Sequence, residues 1–469
     1  MQTDVPQRLD RLPWSRWHWM VVVALGITWI LDGLEVTVVG AIGPRLQQSA
    51  GLGLSATQIG ESATAYLAGA VGGALLFGNL TDRFGRKQMF LVTLLWYLTF
   101  TLLTATSWNF ASFVVFRALA GMGIGGEYAA INSAIDELIP SRNRGWIDLS
   151  INGSWWLGTI IGSLASLVLL DTHVVAAAVG WRLTFLLGAV LALAVLFVRR
   201  ALPESPRWLM LRGRHEEAQL VVAQIEREVS ATTGAALEPV GARTSFDPLR
   251  VRMGFRATAQ TMFRRYPKRT VVALSLMIAQ AFLYNAIFFT EALVLTTFFG
   301  VPPASVGLYI LPFALGNLAG PILLGRLFDT IGRKAMISAT YALSGILLTA
   351  TGLAFVHGML DAATLTLAWC VVFFFASAGA SSAYLTVSET FPLQIRALAI
   401  AVVYAIGTLV GGAAAPTLFG ALIATKSADA VFHGYLVGAA AMIAAALVEL
   451  LMGVEASGRL LEDVAPING

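Results

Sequence analysis

Two carboxylates, Asp32 and Glu35, lie three residues apart in the apolar run ITWILDGLEVTVVG (residues 27–40). A charged side chain at the centre of a membrane helix costs about 2.5–3.5 kcal/mol, so both acids need a reason to be there. Side chains three residues apart project from one face of a helix. Two ionised carboxylates in a poorly hydrated space would repel each other, so we expect at least one to bind a proton near neutral pH. The pair therefore predicts a proton-carrying site.

The counter-charge to these acids is Arg117, the only basic residue well inside an apolar run. A further acid, Glu127, follows ten residues later, nearly three helical turns away. At that distance it could share a proton only through an intervening side chain or water, so we interpret it as either a second relay or a structural group. For the charges as a whole, the alternative to proton coupling is a structural ion pair that fixes helix packing.

The composition identifies the surroundings of these charges. Of the 469 residues, 57% are hydrophobic and 12% are charged, and the mean hydropathy is +0.74. These values are too apolar for a protein with a hydrated surface, so we predict a multi-pass protein of a plasma membrane, here the bacterial inner membrane. The single Cys370 excludes a disulfide framework. The histidines are scattered and the sequence has no P-loop, so we expect no metal, no cofactor and no enzymatic activity.

Twelve apolar runs are each long enough to cross a bilayer as a helix, which takes about 20 residues. All Lys and Arg except Arg45, Arg117, Arg182 and Lys426 fall in the tails and loops that this threading places on one side. By the positive-inside rule, both termini are predicted to be cytoplasmic. The runs are 17–41, 57–80, 88–107, 110–136, 146–170, 181–199, 270–299, 304–327, 335–357, 362–387, 397–424 and 431–454.

The two halves of the chain are copies of each other. GNLTDRFGRK (78–87), after the second run, recurs as GRLFDTIGRK (325–334), after the eighth. Glu137, Pro140 and Arg144, after the fourth run, recur after the tenth as Glu389, Pro392 and Arg396. Duplicated halves of six spans imply a binding site at the midplane between them, with access alternating as one half rocks on the other.

The predicted fold is therefore all-α, with twelve transmembrane helices in two pseudo-symmetric bundles of six. The central linker contains an amphipathic stretch in which Leu220, Val221 and Ile225 are predicted to share one face. The predicted segments are a cytoplasmic tail (1–16), a first bundle (17–199), a cytoplasmic linker (200–269), a second bundle (270–454) and a cytoplasmic tail (455–469).

Over nearly its whole length, the sequence resembles the major facilitator superfamily. The G-x-L-x-D-R-x-G-R-K loop carries the resemblance, together with the Glu-to-Arg spacing after the fourth and tenth runs. The resemblance implies a cytoplasmic gate of ion pairs that closes one side of the substrate path. The residues at the gate positions are Asp82, Arg86, Glu137, Arg144, Asp329, Arg333, Glu389 and Arg396.

Three further stretches resemble particular branches of that superfamily. PESPRWL (203–209) is similar to the signature of sugar porters and organic-ion transporters, and residues 117–145 are similar to the fourth-span signature of the same group. LDGLE (31–35) is similar to the D-G-x-D of aromatic-acid/proton symporters. The resemblance to sugar/proton symporters implies that Glu35 and Arg117 pair when the proton is absent, so that protonation of Glu35 releases Arg117.

The same comparison suggests which residues line the substrate cavity. Asn152, Gln280 and Asn285 match amide positions of sugar porters, but Phe288 and Phe289 stand where that family has a pair of tyrosines. The cavity has thus lost hydroxyls and gained apolar rings, although for each aromatic residue the alternative is helix packing. The predicted substrate-binding residues are Asn152, Trp155, Trp156, Gln280, Tyr284, Asn285, Phe288, Glu291 and Tyr384.

The sequence thus predicts a secondary active transporter that takes up a small organic metabolite with protons. An aromatic or organic acid is favoured over a hexose. A proton-independent facilitator and a sugar/proton symporter remain alternatives, and an organic-cation transporter or a nutrient sensor is less favoured. The expected partners are the small-molecule substrate, protons and the lipid bilayer, with no nucleic acid, and the chain is expected to act as a monomer.

Overall fold

The computed structural model is almost entirely helical and describes residues 2–49, 51–200, 202–234, 236–240, 244–245, 254–288, 290–302, 306–413 and 415–465. The first half contains α1 (Val5–Asp10), α2 (Arg16–Gln47), α3 (Ala56–Phe84), α4 (Arg86–Ala105), α5 (Phe110–Leu138), the 3-10 turn Ser141–Asn143, α6 (Arg144–Gly153), α7 (Trp155–Leu169) and α8 (Ala177–Arg200). The linker contains α9 (Pro206–Leu211), α10 (His215–Thr233), α11 (Phe255–Gln260) and the π-helical turn Thr261–Arg265.

The second half contains α12 (Pro267–Ile287), α13 (Glu291–Phe299), α14 (Val306–Thr330), α15 (Arg333–Val356), α16 (Ala362–Thr390), α17 (Arg396–Gly407), the π-helical turn Thr408–Gly412, α18 (Ala415–Ala424), α19 (Ala428–Met452) and α20 (Leu461–Val464). A two-residue strand, β1 (Gln2–Thr3), pairs antiparallel with β2 (Thr244–Ser245). The predicted all-α class is confirmed.

Within the described residues, nine helical segments are long and apolar enough to cross a membrane. The other three predicted runs are helical too, but they are formed by α8 and by the pairs α6/α7 and α17/α18.

The helices α3, α5, α16 and α19 begin at the bundle end away from the linker, and each has a polar N-cap that accepts a backbone hydrogen bond where the chain leaves the polar surface. These caps are Ser55, Asn109, Asp361 and Ser427.

Three runs that the sequence predicts as continuous spans are interrupted. α6 and α7 meet at Ser154, whose hydroxyl donates to the carbonyl of Ile151 at 2.6 Å. α12 ends at Ile287 and α13 begins at Glu291, and a π-helical turn separates α17 from α18. Hydropathy could not predict these breaks, because every segment involved is apolar.

Close packing inside the first half depends on glycines that face a neighbouring backbone. A Cβ on Gly69 would lie 1.9 Å from the carbonyl oxygen of Ala118, and one on Gly73 would lie 1.9 Å from that of Met122. Any larger residue at these two positions would hold α3 and α5 apart. The two halves meet through other pairs of helices, α3 against α17 and α6 against α14.

The N-terminal segment, the linker and the C-terminal segment pack together at one end of the bundle, which we call the linker face. Arg8 and Arg11 each pair with Glu226 of α10 at 2.6 Å. Arg207 of α9 pairs with Glu462 of α20 at 3.2 Å. These contacts join segments that are more than 200 residues apart in sequence.

The linker helix α10 is amphipathic as predicted, but of the three residues assigned to its apolar face only Ile225 belongs to the buried stripe. Leu220 is 67% exposed, so its assignment to the apolar face was wrong. The buried residues recur every three or four positions and thus form a single helical stripe. They are Ala218, Val222, Ile225 and Val229.

Candidate functional site

A cavity of about 220 Å³ lies between the two halves and is lined by both. Nine of its described lining residues are aromatic, and Asp32 is the only charged one among them. Apolar walls with a few placed polar groups are typical of sites for small organic molecules. The first half contributes Trp29, Asp32, Val36, Tyr66, Leu67, Ala70, Tyr128, Asn152, Trp155 and Trp156, and the second contributes Gln280, Tyr284, Asn285, Phe288, Ser377, Ala380, Ser381, Tyr384 and Tyr404.

Asp32 is the centre of a hydrogen-bonded group in the cavity wall. The Tyr66 hydroxyl donates to its Oδ1 at 2.8 Å. The Tyr128 hydroxyl and the Trp155 indole Nε1 donate to its Oδ2 at 2.5 Å and 2.6 Å. The carboxyl thereby joins α2 to α3, α5 and α7. The three donors stabilise its ionised form, whereas its burial, with only 2% of the residue exposed, opposes ionisation.

Glu35 lies on α2 beside Asp32 but does not line the cavity. Its carboxylate pairs with the guanidinium of Arg117 on α5, and both side chains are 2% exposed. Thr101 of α4 donates to the other carboxylate oxygen at 3.5 Å. The structure therefore separates two acids that the sequence placed in one cavity, because residues three apart on a helix differ by about 60° around its axis.

Tyr66 connects the surroundings of the two acids. Its hydroxyl donates to Asp32, and the guanidinium carbon of Arg117 lies 4.1 Å from the centroid of its ring. A guanidinium at this distance from an aromatic face makes a favourable cation–π contact. Tyr66 is therefore in contact with the cavity carboxyl and with the ion pair behind it.

The aromatic residues form two groups in the walls of the cavity. In one group the ring of Trp29 is stacked on that of Tyr128, with centroids 4.7 Å apart. In the other, Trp156 packs edge-on against Phe288, with centroids 5.3 Å apart, and lies 5.9 Å from Tyr284. The walls present ring faces and edges to any occupant.

The predicted amides Asn152, Gln280 and Asn285 all line the cavity, but protein groups already use part of their hydrogen-bonding capacity. The Asn152 Nδ2 donates to Asn132 at 3.0 Å, and the Asn285 Nδ2 donates to the carbonyl of Ala281 at 2.7 Å. The hydroxyls of a sugar would compete with these bonds, so the cavity is poorly supplied with free amides.

Besides Glu35 and Arg117, the predicted site residues Glu127 and Glu291 are not among the described residues that line the cavity. Glu127 is fully buried within α5, and Glu291 is 1% exposed at the start of α13. Glu291 begins α13, whereas α12 ends at Ile287, and its role in substrate binding stays a prediction. Phe289 lies outside the described residues.

The eight predicted gate residues lie together at the linker face as two similar networks, one in each half. In the first half, Arg86 pairs with Glu137 at 2.8 Å and approaches Asp82 at 3.6 Å. In the second half, Arg333 pairs with Glu389 at 3.0 Å and with Asp329 at 2.8 Å. The duplicated motifs thus produce duplicated ion pairs.

Other bonds of these networks cross from one half to the other. Arg144 of the first half pairs with Glu389 of the second at 3.3 Å. The Asp329 carboxylate accepts from the backbone N–H of Gly145 (2.9 Å) and Trp146 (2.8 Å). In the opposite sense, Asp82 accepts from the N–H of Leu398 at 3.1 Å. The linker face is therefore closed by bonds between the halves.

A second pair of equivalent acids, Glu204 and Glu455, was not predicted from the sequence. Glu204 accepts from the first N–H groups of α4 at 2.9 Å and 3.3 Å, and Glu455 accepts from those of α15 at the same distances. Burial raises the pKa of Glu204, although these N–H groups and Arg86 oppose that shift. Each acid follows the last run of its half, and that shared position was the available signal.

The family model described as "Sugar (and other) transporter" matches residues 16–467. The niacin transporter NiaP of Acinetobacter baylyi is 27% identical over 98% of this chain and 99% of its own length. The 4-hydroxybenzoate transporter PcaK of the same organism is 33% identical over 45% of each chain. Among solved structures, the proton:xylose symporter XylE bound to 6-bromo-6-deoxy-D-glucose has a TM-score of 0.77 at 20% identity, covering 95% of this chain and 98% of that one.

Proposed function

Because the chain belongs to the sugar (and other) transporter family of the major facilitator superfamily, we propose that it imports a small aromatic acid together with protons. The observation that carries this proposal is the cavity, in which one carboxyl, Asp32, lies among nine aromatic residues. Relatives whose names specify niacin and 4-hydroxybenzoate support a substrate of that class.

The charge of the cavity provides a physical reason for coupling to protons. A carboxylate substrate would bring a second negative charge next to Asp32, and no basic residue is among the described residues that line the cavity. Two anions in a poorly hydrated space repel each other strongly, so such a substrate binds only when a proton accompanies it. The aromatic walls then hold the ring of the substrate, and the protonated Asp32 holds its carboxylate.

In this mechanism Glu35 and Arg117 transmit the protonation state of the cavity to the helices. Tyr66 contacts both Asp32 and Arg117, so a change at the cavity alters the surroundings of the ion pair. Protonation of Glu35 would release Arg117 from its partner on α2. The resulting shift of α2 relative to α5 is proposed to favour rocking of the halves.

The test is uptake of radiolabelled 4-hydroxybenzoate and niacin into proteoliposomes under an imposed pH gradient. The wild-type protein is expected to accumulate one of these acids only when the outside is the more acidic. Asp32→Asn and Glu35→Gln are expected to retain exchange of substrate but to lose accumulation, with Asp429→Asn, an exposed acid away from the cavity, as the matched control. Gradient-driven accumulation that survives both substitutions would contradict proton coupling through this pair.

A second candidate substrate is an organic cation, which the negative charge of Asp32 in the cavity favours. A cation would pair with the ionised Asp32 and make cation–π contacts with the surrounding rings. In that case cation and proton compete for one carboxyl, so acidification on the substrate side would inhibit uptake instead of driving it. A proton-independent facilitator, by contrast, would exchange substrate at any pH without accumulating it.

A further inference from the structure

An acid pair lies one helical turn from the cavity toward the linker face. α5 runs toward that face and α6 runs away from it, and the two helices are joined by the bond from Asn152 to Asn132. Counting four residues toward the linker face on each helix leads from Asn132 to Asp136 and from Asn152 to Asp148. The two aspartates therefore lie opposite each other, and both are 0% exposed.

Among the described residues, the ion pairs of the linker face leave these two acids with one long cation contact, which is 3.9 Å from the Arg144 Nε to Asp136. Each of the four gate arginines has its closest acid elsewhere. That acid is Glu137 for Arg86 and Arg396, Glu389 for Arg144 and Asp329 for Arg333. If Asp136 and Asp148 were both ionised, this buried region would hold an excess of negative charge, which is costly away from water.

Buried oxygens that lack hydrogen-bond donors also indicate that a proton is bound at this acid pair. Within the described residues, both carboxylate oxygens of Asp136 and the Oδ1 of Asp148 have no hydrogen-bond partner. The Oδ1 of Asn152, a residue 6% exposed, has no partner either, although its Nδ2 donates to Asp148 at 3.2 Å. The Ser388 hydroxyl donates to the carbonyl of Leu385 at 3.0 Å and also interacts with Asp136, so its single proton is shared between two acceptors. Buried oxygens without donors indicate that a donor, here a proton, belongs at this site.

We propose that Asp136 and Asp148 form a second proton-binding site, which holds at least one proton while the linker face is closed and releases it when that face opens. The proposal deepens and rests on the proposed proton-coupled transport. Asn152 lines the cavity and donates to Asp148, so it connects this site to the substrate. The predicted roles of Asp32, Glu35 and Arg117 do not involve these two acids.

The charged groups that face the pair explain why opening would release the proton. They are Arg144 on α6, Arg333 on α15, Glu389 on α16 and Arg396 on α17. In the closed state Glu389 of the second half pairs with Arg144, so the charge of Arg144 is shared. When the halves separate, Glu389 leaves together with Arg333 and Arg396 of the second half, and water enters. Arg144 stays in the first half and is then free to pair more closely with Asp136. Hydration, the loss of Glu389 and this closer pair favour the ionised acids, and in this mechanism they outweigh the loss of the two second-half arginines.

The test is infrared spectroscopy of the purified full chain in lipid nanodiscs, with aspartate carboxyls labelled with carbon-13 to mark their carbonyl stretch. At neutral pH the wild type is expected to show a protonated-aspartate band in addition to any band that disappears in Asp32→Asn. Asp136→Asn and Asp148→Asn preserve side-chain shape, and each is expected to remove this additional band. Asp429→Asn, an exposed acid, is the matched control and should leave it unchanged.

Three results would overturn the proposal: no additional band in the wild type, a band that persists in both variants, or a band lost when sodium replaces potassium at constant pH. The last result would indicate a cation site in place of a proton site. Absence of the additional band from the wild type overturns the proposal even if the variants do not fold. Because the wild-type measurement requires no transported substrate, its failure is distinguishable from failure of the proposed uptake of aromatic acids.

Discussion

Arg117 and Glu35 form a buried ion pair, so removing one partner should destabilise the protein more than removing both. Arg117→Gln leaves the Glu35 carboxylate without its cation, and removing one member of such a pair typically costs about 3–5 kcal/mol. The double variant Glu35→Gln/Arg117→Gln leaves no charge behind, so most of that stability should return. Thermal unfolding in detergent measures both. Equal destabilisation of the single and double variants would show that packing, and not charge, dominates here.

At the scale of residues, the sequence was sufficient to select Asp32, Glu35 and Arg117, because charge is rare in apolar runs. It could not decide which acid lines the cavity. That depends on how α2 is rotated in the bundle, and Tyr66, Tyr128 and Trp155, which hold Asp32 at the cavity, come from three other helices. Asp136 and Asp148 were overlooked for a related reason. Both lie near the ends of runs, where an acid normally meets water.

The helices α3 and α5 offer a test of packing with a built-in control. A Cβ on Gly73 would lie 1.9 Å from the carbonyl oxygen of Met122, whereas one on the adjacent Gly72 would meet no heavy atom within 4 Å. Gly73→Ala should therefore destabilise the protein by about 1–3 kcal/mol, as overpacking does. Gly72→Ala should have little effect. Thermal unfolding of the two variants side by side checks this, and similar melting temperatures would contradict the close approach.

The helix α1 is held to α10 by charge, which makes its attachment dependent on pH. Burial raises the pKa of Glu226, but hydrogen bonds from Arg8 and Arg11 outweigh it and hold that pKa below its usual value. The ion pairs therefore stabilise the attachment above the usual Glu pKa of about 4.3, and this stabilisation is lost as the pH falls through the lowered value.

Removing the charge of Glu226 should have the same effect at neutral pH. In Glu226→Gln, residues 4–12 are expected to exchange their amide hydrogens faster than in the wild type, as measured by mass spectrometry at pH 7. Glu228→Gln, which alters a neighbouring acid of α10, serves as the control. Unchanged protection of residues 4–12 in Glu226→Gln would show that apolar contacts of α1 suffice.

At the scale of elements, every run that hydropathy predicted is helical in the structure. The interruptions within three of these runs were not predicted. Ser154 ends α6 because its hydroxyl bonds back to the preceding turn, which is a local competition that an average over 20 residues conceals. Of the buried stripe of α10, only Ile225 was predicted. The register of this stripe is set by what α10 packs against, and Leu220 has the same hydrophobicity on either face.

For the molecule as a whole, the closed linker face depends on carboxylates that accept backbone hydrogen bonds from the opposite half. In Asp329→Asn, the acceptor of the hydrogen bonds from the Gly145 and Trp146 N–H groups loses its negative charge. These bonds between the halves become weaker, so the open state should be favoured. Hydrogen exchange is expected to increase at 144–147 and also at 396–399, where Asp82 makes the equivalent contact. Asp429→Asn should alter neither. An increase confined to 144–147 would show that the two contacts open independently.

Duplication of the sequence predicted that the two gate networks would be alike, and they are. It could not predict which bonds cross between the halves, because Arg144 lies in the first half and its partner Glu389 in the second. Residues at equivalent positions of the two halves can be assigned equivalent roles within each half. Contacts between the copies depend on how the halves are placed against each other.

The indoles of the cavity have a practical consequence. Trp29, Trp155 and Trp156 line the space that a substrate would occupy, and the Trp155 Nε1 is bonded to the carboxyl that we expect to be protonated. Indole emission responds to a nearby aromatic ligand and to loss of a hydrogen-bond acceptor. The unlabelled protein thus contains its own optical reporter, whose intensity and wavelength should report occupancy and protonation of the cavity in a single fluorescence titration.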